Sequence, residues 1–199
     1  MNEVMHRCLS HLFLLLAILL PGACSRPAEE PPLAGARLGG PFTLVDQDGR
    51  TVRSADFDGR YRLIYFGYSY CPDVCPTDLQ VIAQALRRFE TSAPDRARRV
   101  QPIFITVDPE RDTPAVLKSY VAAFHPRLIG LTGTPAAIDA VRKAFAIYAS
   151  KQPTGHGKDY FVDHSRQAML FGPKGEPMLL LPQDEGANAV AAALDTWVK

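Results

Sequence analysis

The chain is short of cysteine, of long apolar runs and of net charge. Four cysteines among 199 residues, Cys8, Cys24, Cys71 and Cys75, are too few for a disulfide framework. The pair Cys71 and Cys75 closes a loop too small to staple a fold of this size. The apolar run from Leu12 to Leu20 falls short of the roughly 20 residues that span a bilayer. Lys plus Arg total 22 against 21 for Asp plus Glu, a formal net charge of +1. No global field therefore argues for nucleic acid or an anionic surface. No internal repeat appears. Histidine is scarce, and past the N-terminal segment only His125, His156 and His164 remain.

What is present begins with an export signal. Arg7 precedes the Leu12 to Leu20 run, and Leu20-Pro21-Gly22-Ala23-Cys24 follows it. The pattern suits a secretory signal over residues 1–23, with small residues ahead of a cysteine as in bacterial lipoprotein processing sites. Pro21 departs from the usual leucine there, so an ordinary cleaved signal, or an uncleaved short anchor with a chance cysteine, stays open beside lipidation of Cys24. Residues 24–40, rich in Pro, Ala, Gly and Glu, read as a flexible tether. Residues 41–199 read as one domain, and the chain as a whole has an ordinary globular composition, 47% hydrophobic. The expected location is the periplasmic side of a membrane, reached by export and held by a lipid anchor.

Within the domain, Phe42 to Val52 with Asp48-Gly49 at its turn predicts a β-hairpin. Leu63 to Tyr68 is apolar enough for a strand buried on both faces and runs into Cys71-Pro72-Asp73-Val74-Cys75-Pro76. Leu79, Ile82, Ala83, Leu86 and Phe89 then recur at helical spacing. That helix is expected to begin near Pro76, leaving Cys71 in the loop before it. A second strand spans about 101–107. Thr113-Pro114 and Thr134-Pro135 each open a helix by an N-cap and a first-turn proline, the second expected to reach about Ala149. A loop is expected over 150–158, then a hairpin from Ala168 to Leu181 and a closing helix from about Ala187 to Trp197.

This order predicts an α/β fold of thioredoxin-like type: a central mixed sheet with helices on both faces, an N-terminal β-hairpin and an inserted β-α unit. Cysteines at the first strand-to-helix turn lie where the positive end of a helix stabilises thiolate.

Four segments carry a resemblance. Phe66-Gly67-Tyr68-Ser69-Tyr70-Cys71-Pro72-Asp73-Val74-Cys75-Pro76-Thr77 resembles the signature of the Sco/SenC family. Val107 to Pro114, Leu131 to Thr134 and Tyr160 to Ser165 look like that family's further blocks, covering the chain from about Gly40 onward. The resemblance implies a metallochaperone that helps assemble the copper A centre of cytochrome c oxidase, with copper held by Cys71, Cys75 and His164. One copper per chain is expected, as Cu(I), Cu(II) or both. The implied partners are the copper-bearing oxidase subunit and, on the supply side, another exported copper chaperone or a thiol reductant. No nucleic-acid partner is expected, and the membrane is met through the N-terminal anchor.

The residue chemistry agrees. Thiolate favours Cu(I), and imidazole binds copper in either oxidation state. No fourth ligand of the kind structural zinc requires is evident. Asp163, adjacent to His164, is a candidate to hydrogen-bond and orient the ligands of the site, with a surface or turn role equally open. Asp108 and Asp112 are more simply read as parts of a loop ahead of the Thr113 cap. Tyr68 and Tyr70 flank the motif, Met169 and Met178 suit core packing, and His125 suits capping or exposure at a helix end. The competing function is enzymatic: a thiol-disulfide reductase using Cys71 and Cys75 on the oxidase copper site or other exported proteins. Such an enzyme would need neither metal nor His164.

Overall fold

The computed structural model describes residues 29–155 and 159–199. The signal (1–23), Cys24 and His156 lie outside the described residues. Among those described, no helix is long and apolar enough to cross a membrane.

The domain is organised by strand β3 (Tyr61–Gly67), buried at every position. It pairs in parallel with β4 (Val100–Thr106), and β4 pairs in parallel with β5 (Ile129–Thr132). Parallel neighbours need crossover connections. These are helices α1 (Val74–Ser92), with the single turn α2 (Pro94–Ala97) after it, and α3 (Pro114–Ala122). The expected hairpin is present as β1 (Thr43–Asp46) and β2 (Thr51–Arg53), turned at Gly49 with φ 79°. Strand β1 pairs antiparallel with β5. On the other side β8 (Ala168–Phe171) and β9 (Pro177–Leu180) extend the sheet antiparallel. The seven strands run β2-β1-β5-β4-β3-β8-β9.

Helices cover both faces. Tyr65 and Phe104 stack at 6.4 Å on one face, where the Tyr65 hydroxyl reaches Asp78 of α1 and Phe104 packs on Tyr120 of α3. Helix α5 (Ala187–Trp197) lies alongside α1. On the opposite face Phe66 packs on Phe145, just past α4 (Pro135–Ala144), and Phe145 also meets Phe42 and Phe171. The segment ahead of the hairpin is bonded to the same body. Leu33 N–H donates to Met178 O and Gly39 N–H to Ala144 O, each at 2.8 Å.

Three sequence expectations are corrected. Helix α4 ends at Ala144 rather than near Ala149. Ala146 adopts a left-handed φ of 53°, and the N–H groups of Ala146 and Ile147 close back on Lys143 O and Arg142 O. This is the Schellman stop that glycine ordinarily supplies, so an alanine there leaves no mark in the sequence. The chain is thereby released for β6 (Ala149–Pro153), which pairs with β7 (Tyr160–His164) as a separate two-stranded hairpin where a loop was expected. Helix α1 also begins earlier, at Val74, which puts Cys75 in its first turn while Cys71 stays in the loop. Pro76 is tolerated there because first-turn N–H groups have no intrahelical partner.

Candidate metal centre

Strand β3 aims at the site and Gly67 ends it. A Cβ on Gly67 would sit 2.9 Å from Cys75 Sγ and 3.1 Å from ring atoms of Phe104 and Tyr65. Only a residue without a side chain lets the sulfur lie against the strand. The chain then turns, with Cys71 N–H donating to Tyr68 O at 3.2 Å, and enters α1. Asp73 stands at the N-cap position without a side-chain cap. Cys71 Sγ instead accepts the Cys75 N–H at 3.4 Å, so the sulfur takes up one of the helix's orphan donors. Both cysteines are buried and unbridged.

The third group arrives from β7. His164 Nε2 lies 3.2 Å from Cys75 Sγ. Its Nδ1 lies 2.9 Å from Ser165 O. A carbonyl only accepts, so the ring proton sits on Nδ1 and the Nε2 lone pair faces the sulfurs. The imidazole meets the Tyr68 ring edge-on at 5.8 Å, and the Tyr68 hydroxyl accepts the Val162 N–H at 3.2 Å, which fixes β7. The Cys71, Cys75 and His164 donor atoms all lie within 4.8 Å of one another. With metal bonds of about 2.3 Å to sulfur and 2.0 Å to nitrogen, a three-coordinate ion would hold its donors roughly 3.7 to 4.0 Å apart. The donor set therefore fits one soft ion with little rearrangement. It opens on a cleft of about 510 Å³ whose walls include Cys71, Pro72, Val162, His164 and Arg166.

The two thiols are electrostatically unlike. A hydrogen bond from the Cys75 thiol, joined by the backbone N–H groups of Asp73 and Cys75, outweighs burial and pulls the Cys71 thiol down to about 4. The same bond to Cys71, with burial behind it, pushes the Cys75 thiol up. The opposed shifts share one cause, the hydrogen bond between the two sulfurs, and a metal binding to both would displace the proton in it.

Several supporting groups escaped the sequence reading. Asp78, one turn past Cys75 and 3% exposed, accepts from the Tyr65 hydroxyl at 2.8 Å. Arg166 grips the same carboxylate through two bonds, at 2.7 and 3.1 Å. Burial, with the neighbouring Asp78 carboxylate, holds the Tyr65 phenol protonated well above its ordinary range. A carboxylate on the buried face of an otherwise apolar helix was the available signal. Asp108 and Asp112 are fully buried rather than simple loop residues. Asp108 pairs with Arg111 and accepts from the Tyr160 hydroxyl, tying β7 to the turn after β4. Asp112 accepts from Thr106 Oγ1 at 2.6 Å and from Ser69 N–H and Oγ, steadying the loop that leads to Cys71, and burial raises its carboxyl. Arg111 lies 3.7 Å over the Tyr160 ring and 4.9 Å from the Tyr70 centroid.

The remaining candidates fall around this centre or away from it. Asp163 is exposed at the cleft's rim, beside a histidine whose Nδ1 is already engaged by Ser165. Tyr70 is exposed, whereas Tyr68 is buried. Met169 and Met178 are buried in the sheet. His125 is buried rather than exposed: its Nδ1 accepts from Arg127 N–H, and its Nε2 lies 3.4 Å from Glu90.

A mixed sheet with helices on both faces, and a cysteine pair at the turn from its central strand into the first long helix, define a thioredoxin-like protein. A histidine delivered from the far half of the chain makes that pair a Cys₂His group of three donor atoms within 4.8 Å of one another. The chain belongs to the SCO1/SenC family, whose model matches residues 30–199. It is 39% identical over 164 residues to the human mitochondrial protein SCO1 homolog, covering 81% of this chain and 53% of that one. It is 45% identical over 141 residues to the protein SenC of Rhodobacter capsulatus, covering 71% and 62%. The chain thus spans about half to three-fifths of the length of these relatives. Among solved structures, copper-bound ScoI of Bradyrhizobium japonicum superposes with a TM-score of 0.73 at 42% identity, covering 80% of this chain and 99% of that one.

Proposed function

We propose that this protein is an exported copper metallochaperone that helps assemble the copper A centre of cytochrome c oxidase. It holds one copper through Cys71, Cys75 and His164. The observation that carries this reading is the convergence of three soft or borderline donor atoms within 4.8 Å, with the Nε2 lone pair turned toward the sulfurs. Membership of the SCO1/SenC family and the likeness to a copper-bound relative support the choice of copper. Thiolate and imidazole ligands suit Cu(I) and accept Cu(II). Three ligands leave a coordination position open on the cleft side. An acceptor thiolate of the oxidase subunit enters there, and the metal passes by exchange of ligands rather than by release into water. In this reading residues 1–23 direct export, Cys24 carries the lipid, and a tether shortened to the residues ahead of Leu33, which is bonded to the domain, lets the centre reach a membrane partner from the periplasmic side.

The test is copper uptake by the reduced protein. One equivalent should bind, be lost in the Cys71→Ser/Cys75→Ser variant and weaken in His164→Ala.

A second reading rests on the depressed Cys71 thiol at a helix N-terminus, which suits a thiol-disulfide reductase acting on exported partners. Disulfide turnover that survives His164→Ala, with no copper uptake by the reduced wild-type protein, would replace the first reading with this one.

A further inference from the structure

The hairpin that carries His164 pairs only within itself and joins no strand of the seven-stranded sheet. Something other than strand pairing must hold His164 against α1. Two anchors lie toward the start of β7 and its middle, at Tyr160 and Val162. A third lies two residues beyond His164. Arg166 reaches across to α1 and grips both carboxylate oxygens of Asp78, three residues past Cys75. The ring is short: Cys75 to Asp78 along the helix, Asp78 to Arg166 through the fork, Arg166 to His164 along the chain, and His164 back to Cys75 at 3.2 Å.

Each end of the fork is itself held. Tyr65 donates to Asp78 from β3. The Arg166 carbonyl accepts from Gln183 Nε2 at 2.8 Å, and Ser165 exchanges bonds with Tyr148 through its N–H and its hydroxyl. A carboxylate on the buried face of α1, among Leu79 and Ile82, costs free energy unless it is paired and hydrogen-bonded. An apolar side chain would pack there as well for stability alone. A planar guanidinium gripping two oxygens fixes direction as well as distance, which a lysine does less well.

We propose that the Arg166–Asp78 fork is a latch that presets His164 beside Cys75, making Arg166 a positioning residue for the third metal ligand. The inference rests on Cys71, Cys75 and His164 being the copper site. The latch keeps the imidazole in place before metal arrives, so that copper meets three ligands at once rather than two thiols and a wandering ring.

The test begins on the full reduced chain without metal. Proton NMR should show a contact between the His164 ring and the Cys75 β-protons in the wild type. Arg166→Gln should lose it and Arg166→Lys should restore part of it. The double variant Asp78→Asn/Arg166→Gln leaves no buried unpaired charge, so it folds even where the single variant fails, and it too should lose the contact. Cu(I) affinity, read by competition with a chromophoric chelator, should fall roughly ten- to a hundredfold in Arg166→Gln. It should fall no further when Arg166→Gln is added to His164→Ala. A ring contact that persists in both the single and the double variant overturns the latch. So does an affinity loss of equal size with and without His164. A wild-type protein that takes up no copper overturns the site reading instead, and the metal-free ring contact then decides the latch by itself.

Discussion

Cys75 Sγ and His164 Nε2 stand 3.2 Å apart across 89 residues of chain. The helix that carries one and the hairpin that carries the other belong to different sheets' worth of structure. Their meeting turns a cysteine pair into a three-donor site, and the groups that hold them together are where substitutions should tell.

Gly67→Ala should damage site and stability together. Its Cβ would sit 2.9 Å from Cys75 Sγ and 3.1 Å from two aromatic rings. Overpacking of this kind costs about 1–3 kcal/mol. Urea denaturation should record the loss, and Cu(I) titration should show weaker uptake because the sulfur must move. Unchanged stability with full copper uptake would mean the neighbours give way freely.

Arg111→Met should destabilise the domain through Asp108, a carboxylate with no exposure whose pair is removed. Stranding a buried charge costs about 3 kcal/mol or more. The Tyr160 hydroxyl still donates to Asp108, which places the loss toward the lower end. Chemical denaturation gives the figure, and hydrogen exchange at Val162 should quicken as β7 loosens. Asp108→Asn/Arg111→Met should recover part of the stability.

His125 should make the fold acid-sensitive. Burial, opposed in part by Glu90, lowers its imidazole from 6.5. The unfolded chain therefore binds the proton more readily than the folded one. The stability that follows is fully present above about pH 6.5 and is lost as pH falls below it toward the depressed folded value. Denaturant midpoints at pH 7.5 and 5.5 should differ more for the wild type than for His125→Gln. An equal difference in both would assign the acid sensitivity elsewhere.

Oxidation should switch the metal site off. Joining Cys71 to Cys75 consumes both thiolates and leaves His164 alone. The oxidised protein should retain no copper after desalting, and reduction should restore one equivalent. Copper held at full stoichiometry by oxidised protein would contradict the ligand set.

The outline of the fold was legible where a local rule has a local cause. Thr113-Pro114 and Thr134-Pro135 open helices because an N-cap hydroxyl and a ring-fixed φ act within a single turn, and both hydroxyls accept the expected N–H. The buried strand before the cysteines follows from an unbroken apolar run, and the amphipathic helix after them from its roughly 3.6-residue periodicity. Ala146 shows the opposite case. Its left-handed turn is held by two bonds back into α4, not by any preference of alanine, so the early helix stop and the whole of β6 were hidden.

For the site, the sequence carried the resemblance that implies the donor set, and the structure brings those three side chains together. Two cysteines four positions apart at a strand-to-helix turn, and a histidine in a recognisable motif, were enough to point to Cys71, Cys75 and His164. Only the tertiary structure decided what surrounds them. Asp78 and Arg166 are 88 residues apart, and Asp108 and Tyr160 are 52 apart. No periodicity links such residues, because their pairing exists only once separate elements pack and water is excluded. Burial then makes an unpaired charge costly, and the ion pairs around the centre form for that reason.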